Sequence, residues 1–161
     1  MSASAPRPQP PFDRWPVHVF DPDYGFVWWA GPAAVVSQSI IPRGTIVAAE
    51  KLQSCIDAAL TQRADEIAAQ GGVFIFHDWR VTTGYESDAR KHYLSRMRAR
   101  PANYLRHSVV AVEAHPLFKM AVEAGNLVAA LTARARVEIV RDPRATLAQE
   151  GFAPATQHPF P

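Results

Sequence analysis

The chain of 161 residues has a single cysteine, Cys55. That excludes a disulfide framework and a cysteine-based zinc site. No run of about 18 apolar residues occurs, so a membrane-spanning helix is not expected. Glycine is sparse, and Gly71-Gly72 is an isolated pair that precedes an apolar run instead of following one. A Gly-rich phosphate loop would need the reverse order and more glycines. The net charge of +2 is too small to indicate nucleic acid as a partner. No nucleophile elbow of the G-x-S-x-G kind is present. The histidines, His18, His77, His92, His107, His115 and His158, include no pair at helical metal-ligand spacing. The start, MSASAPRPQPPFDRWP, has no apolar core of a secretory signal. These absences together predict a cytoplasmic domain with neither metal nor cofactor.

Proline, by contrast, is abundant, with fourteen in the chain. Five fall in the first sixteen residues and three in the closing GFAPATQHPFP. Proline lacks an N–H and fixes φ, so it joins neither a helix interior nor a sheet interior. Residues 1–15 therefore read as a disordered lead, 16–151 as one domain and 152–161 as a flexible tail. The proline-rich ends are also candidate peptide segments for a partner. The other six prolines, Pro22, Pro32, Pro42, Pro101, Pro116 and Pro143, read as punctuation between elements.

Val17 to Phe20 and Phe26 to Ala30 flank Asp21-Pro22-Asp23-Tyr24-Gly25, strong turn chemistry that predicts a β-hairpin. Residues 33–43 fit either a third strand or a loop on the core. From Thr45 to Gln70 apolar residues recur at helical spacing (Leu52, Ile56, Leu60, Ile67), with Thr45 as the N-cap and Gly71-Gly72 as the stop. Cys55 falls on the apolar side of that helix and reads as core. Val73 to Phe76 is a run of four large apolar residues, suited to a strand buried on both faces. A helix is expected over Ser87 to Arg100, with Ser87 as a cap and Pro101 as its end. Val109 to Val112 is the next strand. Leu117 to Ala135 is a helix, with Leu117, Met120, Ala124, Leu127 and Leu131 turned inward. Val137 to Val140 is the last strand, and Pro143 opens a short helix over Arg144 to Gln149. The predicted fold is α/β: an N-terminal hairpin, then alternating helices and strands, forming a mixed sheet of four to five strands with helices packed on it.

The densest polar stretch of the core is the loop after the central strand, from His77 to Arg90. Ligands and partners of open α/β sheets meet the loops at the carboxyl ends of strands. His77 and Asp78 are adjacent on a strand and so face opposite ways, which argues against a base and its partner. An enzyme here would need a base and a nucleophile or electrophile within hydrogen-bond reach. The following helix is basic (Arg90, Lys91, Arg96, Arg98, Arg100), with no acid from residue 89 to 112. That reads as a solvated face or as a docking patch for an acidic partner or anionic lipid. Trp28 and Trp29 point to opposite faces of the hairpin, so one enters the core and the other is a candidate contact between two copies.

Phe74-Ile75-Phe76-His77-Asp78 running through Val81-Thr82-Thr83-Gly84-Tyr85-Glu86-Ser87 resembles the STAS domain of bacterial anti-sigma-factor antagonists. So do Val109-Val110-Ala111-Val112, the His115-Pro116-Leu117 turn with Gly125-Asn126-Leu127, and Val137 to Ala145. The resemblance covers roughly residues 17–150. It implies a non-enzymatic regulatory domain in bacterial signalling. Such a domain docks on a protein partner (a regulator, kinase or scaffold) through the 77–90 loop and the basic helix. Asp78, Trp79, Tyr85, Arg90, Arg96 and Arg98 are then the candidate partner-binding residues. The family's acceptor motif, an aspartate followed by serines and a glycine, is not reproduced; Thr82, Thr83 and Ser87 are the candidate phosphoacceptors. The same architecture resembles lipid-exchange domains of the Sec14 type, which implies a small-molecule or lipid-binding domain as the alternative. An enzyme using the His77/Asp78 loop is the third reading. Nucleic acid is not an expected partner, and membrane only as a peripheral contact.

Overall fold

The computed structural model describes residues 17–21, 23–31, 33–101, 103–112, 116–133, 136–140 and 143–151. The expectations for the lead, 1–15, and the tail, 152–161, lie outside the described residues.

The two apolar runs at the start form strands β1 (Val17–Asp21) and β2 (Gly25–Gly31), paired antiparallel. Gly25 closes the turn with φ +143°, and a Cβ there would stand 2.0 Å from the Gln38 carbonyl oxygen. Only glycine allows the neighbouring strand so near. That neighbour is β3 (Ala34–Ser39), antiparallel to β2, which resolves the ambiguous 33–43 stretch as a third strand. After it come a two-residue strand β4 (Arg43–Gly44) and helix α1 (Ile46–Gln62). As expected, Thr45 caps α1, its hydroxyl accepting the Ala48 N–H. The helical stretch breaks at Arg63 and continues as α2 (Ala64–Ala69).

The apolar run beginning at Val73 is the central strand β5 (Val73–Asp78), buried along its whole length. It pairs parallel with β3 on one side and with β7 (Leu105–Ala111) on the other. Between them lie the short β6 (Gly84–Tyr85), parallel to β4, and helix α3 (Ser87–Ala99). Ser87 is the first helical residue of α3, not its cap; Glu86 holds that position. The Glu86 carboxylate reaches across to accept the Ile46 N–H of α1. One acidic side chain therefore serves the neighbouring helix. Helix α4 (Pro116–Ala133), strand β8 (Arg136–Val140) and helix α5 (Pro143–Gln149) complete the chain.

The fold is α/β, as expected. The principal sheet has six strands in the order β1-β2-β3-β5-β7-β8; β3 is the strand beyond the four or five anticipated. From β3 onward each parallel strand is added on the same side of the last. Right-handed crossovers that all advance one way deposit their helices on one face. Accordingly α1 packs on α3, and α3 on α4. Between these helices and the sheet lie Val27, Trp29, Val35, Ile56, Val73, Ile75, Met97 and Leu105. Cys55 packs against this cluster as expected. On the opposite face Val36, Phe74, Phe76, Val109 and Ala111 pack with Leu147 of α5.

Helix α4 overturns one expectation. Met120, Leu127 and Leu131, read as inward, are 62%, 64% and 76% exposed, and Ala124 is exposed too. Among the described side chains of the helix, Val122 is the one that is buried. Leu117's side chain lies outside the described residues. The helix is apolar almost all round, so spacing alone does not say which stripe meets the sheet. The helix is also continuous through Gly125-Asn126.

Candidate functional site

Alternation along a strand sends His77 to the helix-covered face and Asp78 to the other, and the two acquire different surroundings. Asp78 is 2% exposed. Its Oδ1 accepts from Arg80 Nε at 2.9 Å and from the Arg80 backbone N–H at 3.2 Å. Its Oδ2 accepts from Arg80 Nη2 at 3.1 Å and from Gln38 Nε2 at 2.9 Å. All the bonding capacity of this carboxylate goes into holding the loop that leaves β5.

His77 pairs in register with Ser37 of β3. Its Nδ1 lies 3.2 Å from Ser37 Oγ, and its Nε2 lies 3.0 Å from the Tyr93 hydroxyl of α3. Trp79 packs against both rings, at centroid distances of 5.2 Å from His77 and 5.6 Å from Tyr93. Burial, seconded by the Arg100 charge, holds His77 down to about 3, so the ring is neutral. Burial likewise pushes the Tyr93 hydroxyl well above the ordinary tyrosine range. A neutral imidazole carries one N–H, so the Ser37–His77–Tyr93 chain runs in one of two directions. In the first, Tyr93 donates to Nε2 and Nδ1–H donates to Ser37, leaving the Ser37 proton over. In the second, Ser37 donates to Nδ1 and Nε2–H donates to Tyr93, leaving the Tyr93 proton over. In both directions one hydroxyl proton remains to donate.

Ser37, His77 and Tyr93 form part of the wall of a cavity of about 100 Å³ at the carboxyl ends of β3 and β5. Its sides are Ala48, Ala49 and Leu52 of α1, Ala89 and Leu94 of α3, and Val122 and Gly125 of α4. The space exists because α1, α3 and α4 all turn small residues toward it. Trp79, Thr82, Tyr85 and Arg90 line it from the loop and the start of α3. Above it, loops 40–45 and 79–86 are tied together. Thr83 N–H and Thr83 Oγ1 donate to the Pro42 carbonyl, Thr82 Oγ1 donates to the Ile41 carbonyl at 2.8 Å, and Glu86 N–H donates to the Gly44 carbonyl. Gln53, also on the wall, is 3% exposed. Its Oε1 accepts from Arg100 Nη2 at 2.8 Å.

The cavity brings together three of the six candidate partner-binding residues: Trp79, Tyr85 and Arg90. Asp78 belongs to the other face. Arg96 is bound, with Arg100, to Asp57 of α1, and so joins two helices instead of standing ready for a partner. Arg98 is exposed. Of the candidate phosphoacceptors, Thr82 is buried and bonded to Ser39 and Ile41, Thr83 is exposed with its hydroxyl on Pro42, and Ser87 is exposed. Trp29 is the hairpin tryptophan that enters the core, beneath the Arg63 guanidinium at 4.4 Å. The side chain of Trp28, and with it the expected contact between copies, lies outside the described residues. Ser37, Gln53 and Tyr93 were not singled out from the sequence. They come from three separate elements, and no local motif links them.

Among the described residues no three His, Cys, Asp or Glu side chains converge as a metal ion would require. Nor is any helix among them long and apolar enough to cross a membrane. Fold and site define an α/β protein with an apolar cavity over the carboxyl edge of a mixed sheet. Searches against family models, curated proteins and solved structures found no match to the chain.

Proposed function

We propose that the chain is a non-enzymatic, cytoplasmic binding domain whose cavity takes a small, predominantly apolar molecule. The observation that carries this reading is the cavity itself: apolar side walls with a few polar groups placed among them, the usual composition of a small-molecule site. Its volume, about 100 Å³, is somewhat below that of an engineered protein cavity of about 150 Å³ that accepts benzene. That favours a compact or branched body over a long lipid tail. His77 stands beside Ser37, as a base stands beside a nucleophile, which is the arrangement the enzyme reading requires. However, a ring held near 3 is a weak proton acceptor at neutral pH, and this supports binding over catalysis.

Ala49→Leu places a larger side chain in the cavity. It is expected to leave stability unchanged or raise it by up to about 1 kcal/mol, while weakening isoamyl alcohol binding at least tenfold. Methyl NMR titration of both proteins with isoamyl alcohol measures this. Equal binding by the variant refutes the reading, as does failure of the unmodified protein to bind isoamyl alcohol and every other probe of the same carbon skeleton.

A second reading, a STAS-like regulatory domain that docks on a protein partner, is supported by the order of elements and by the exposed cations of α3. Lys91 is 71% exposed along its side chain, and Arg98 is exposed in the last turn of the helix. The charge-reversed pair Lys91→Glu with Arg98→Glu is expected to lose partners that the unmodified chain retains on co-purification from its native cells. Identical partner sets retire the basic helix as a docking surface.

A further inference from the structure

The polar groups of the cavity wall that lack partners among the described residues have one chemical character. Arg100 possesses only donors, so Gln53 must turn its oxygen to it, as the 2.8 Å bond shows. The Gln53 amide nitrogen is then the end left over, with two N–H donors and no partner among the described residues. The Ser37–His77–Tyr93 chain ends, in either direction, on an unused hydroxyl proton. Arg90, exposed and on the wall, has no carboxylate beside it among the described residues. Ser39 is occupied by Thr82 and the Ile41 N–H, and Thr45 by the Ala48 N–H. Among the described residues no aspartate or glutamate lines the cavity. Buried donors without acceptors are costly, and a site built to offer donors discriminates against ligands that bring more of them.

We propose, resting on the cavity reading above, that the ligand class is a small apolar monocarboxylate. Its compact hydrocarbon body sits among Ala48, Leu52, Leu94 and Val122, its carboxylate meets Arg90, and its acceptor oxygens face the donors of the wall. The exposed position of Arg90 keeps the ion pair partly hydrated and limits the desolvation cost that a fully buried carboxylate would carry.

The test compares four probes of one carbon skeleton, isovalerate, isovaleramide, isoamyl alcohol and isoamylamine, against the unmodified chain and Arg90→Gln by NMR titration. Isovalerate is expected to bind about tenfold more tightly than the amide or the alcohol, in keeping with a charge-assisted hydrogen bond. The amine is expected to bind weakest, and Arg90→Gln to abolish the acid's advantage while leaving alcohol binding within twofold. Equal affinities for acid and amide, or an acid preference that survives Arg90→Gln, overturn the carboxylate proposal while leaving the cavity reading intact. Failure of all four to bind overturns both. Because Arg90 is exposed, the variant folds as the parent does, and a thermal melt of each protein checks this.

Discussion

Asp78→Ala is expected to destabilise the fold by about 3–5 kcal/mol, the usual cost of removing one partner of a buried ion pair. The Asp78 side chain is 3% exposed and that of Arg80 18%. Removing the carboxylate takes away the acceptor that the Arg80 guanidinium, the Arg80 backbone N–H and the Gln38 amide share. Urea unfolding monitored by circular dichroism gives the difference. Replacing both partners, Asp78→Leu with Arg80→Met, is expected to recover much of the loss, because no uncompensated charge then remains. A docking role for Asp78 makes the opposite forecast: stability preserved and a partner lost. A change below about 1 kcal/mol would reject the structural assignment.

The second large effect depends on pH. His77 is held down to about 3 in the fold, principally by burial, against an ordinary value of 6.5. Between those limits the unfolded chain binds a proton that the folded chain refuses. Stability therefore falls as the pH falls from 6.5, by up to about 1.4 kcal/mol per pH unit from this group alone, and the contribution is complete above 6.5. His77→Gln, which keeps polar atoms at the site, is expected to remove this component of the slope. Unfolding free energies at pH 7.5, 6 and 5 for both proteins isolate it, since the other titrating groups are common to the two. Parallel curves would mean that His77 accepts its proton normally in the fold.

The order of elements was legible because its signals are local. Turn chemistry around Pro22 and Gly25, the Thr45 cap and the four-residue apolar run at Val73 each act within a few residues. The stretch 33–43 was ambiguous because Ala33 to Ile41 has neither a clean alternation nor a helical period. Pairing with both β2 and β5 makes it a strand. Helix α4 went wrong for the converse reason: a helix apolar on nearly every side has no stripe that sequence can assign to the core.

The candidate site was half legible. Position at the end of the central strand singled out the 77–90 loop, and alternation correctly separated His77 from Asp78. The roles of His77 and Asp78 depend on residues forty positions away, Ser37 and Gln38 on β3, which meet them only through parallel pairing. Arg96 shows the same limit. In sequence it is one cation in a basic run, whereas in the fold it is a partner of Asp57.

By itself the sequence determined an α/β chain without disulfides, its strands and helices marked off by proline, glycine and capping residues, because these act on their own neighbours in the backbone. Only the tertiary structure decided that small residues on three helices face one another and leave a cavity. It also decided that His77, read as the opening residue of the polar loop after the central strand, is buried and neutral, and that the donors on the wall lack acceptors among the described residues. Those properties belong to the space between elements, and that space forms only when the crossovers place α1, α3 and α4 on one face of the sheet.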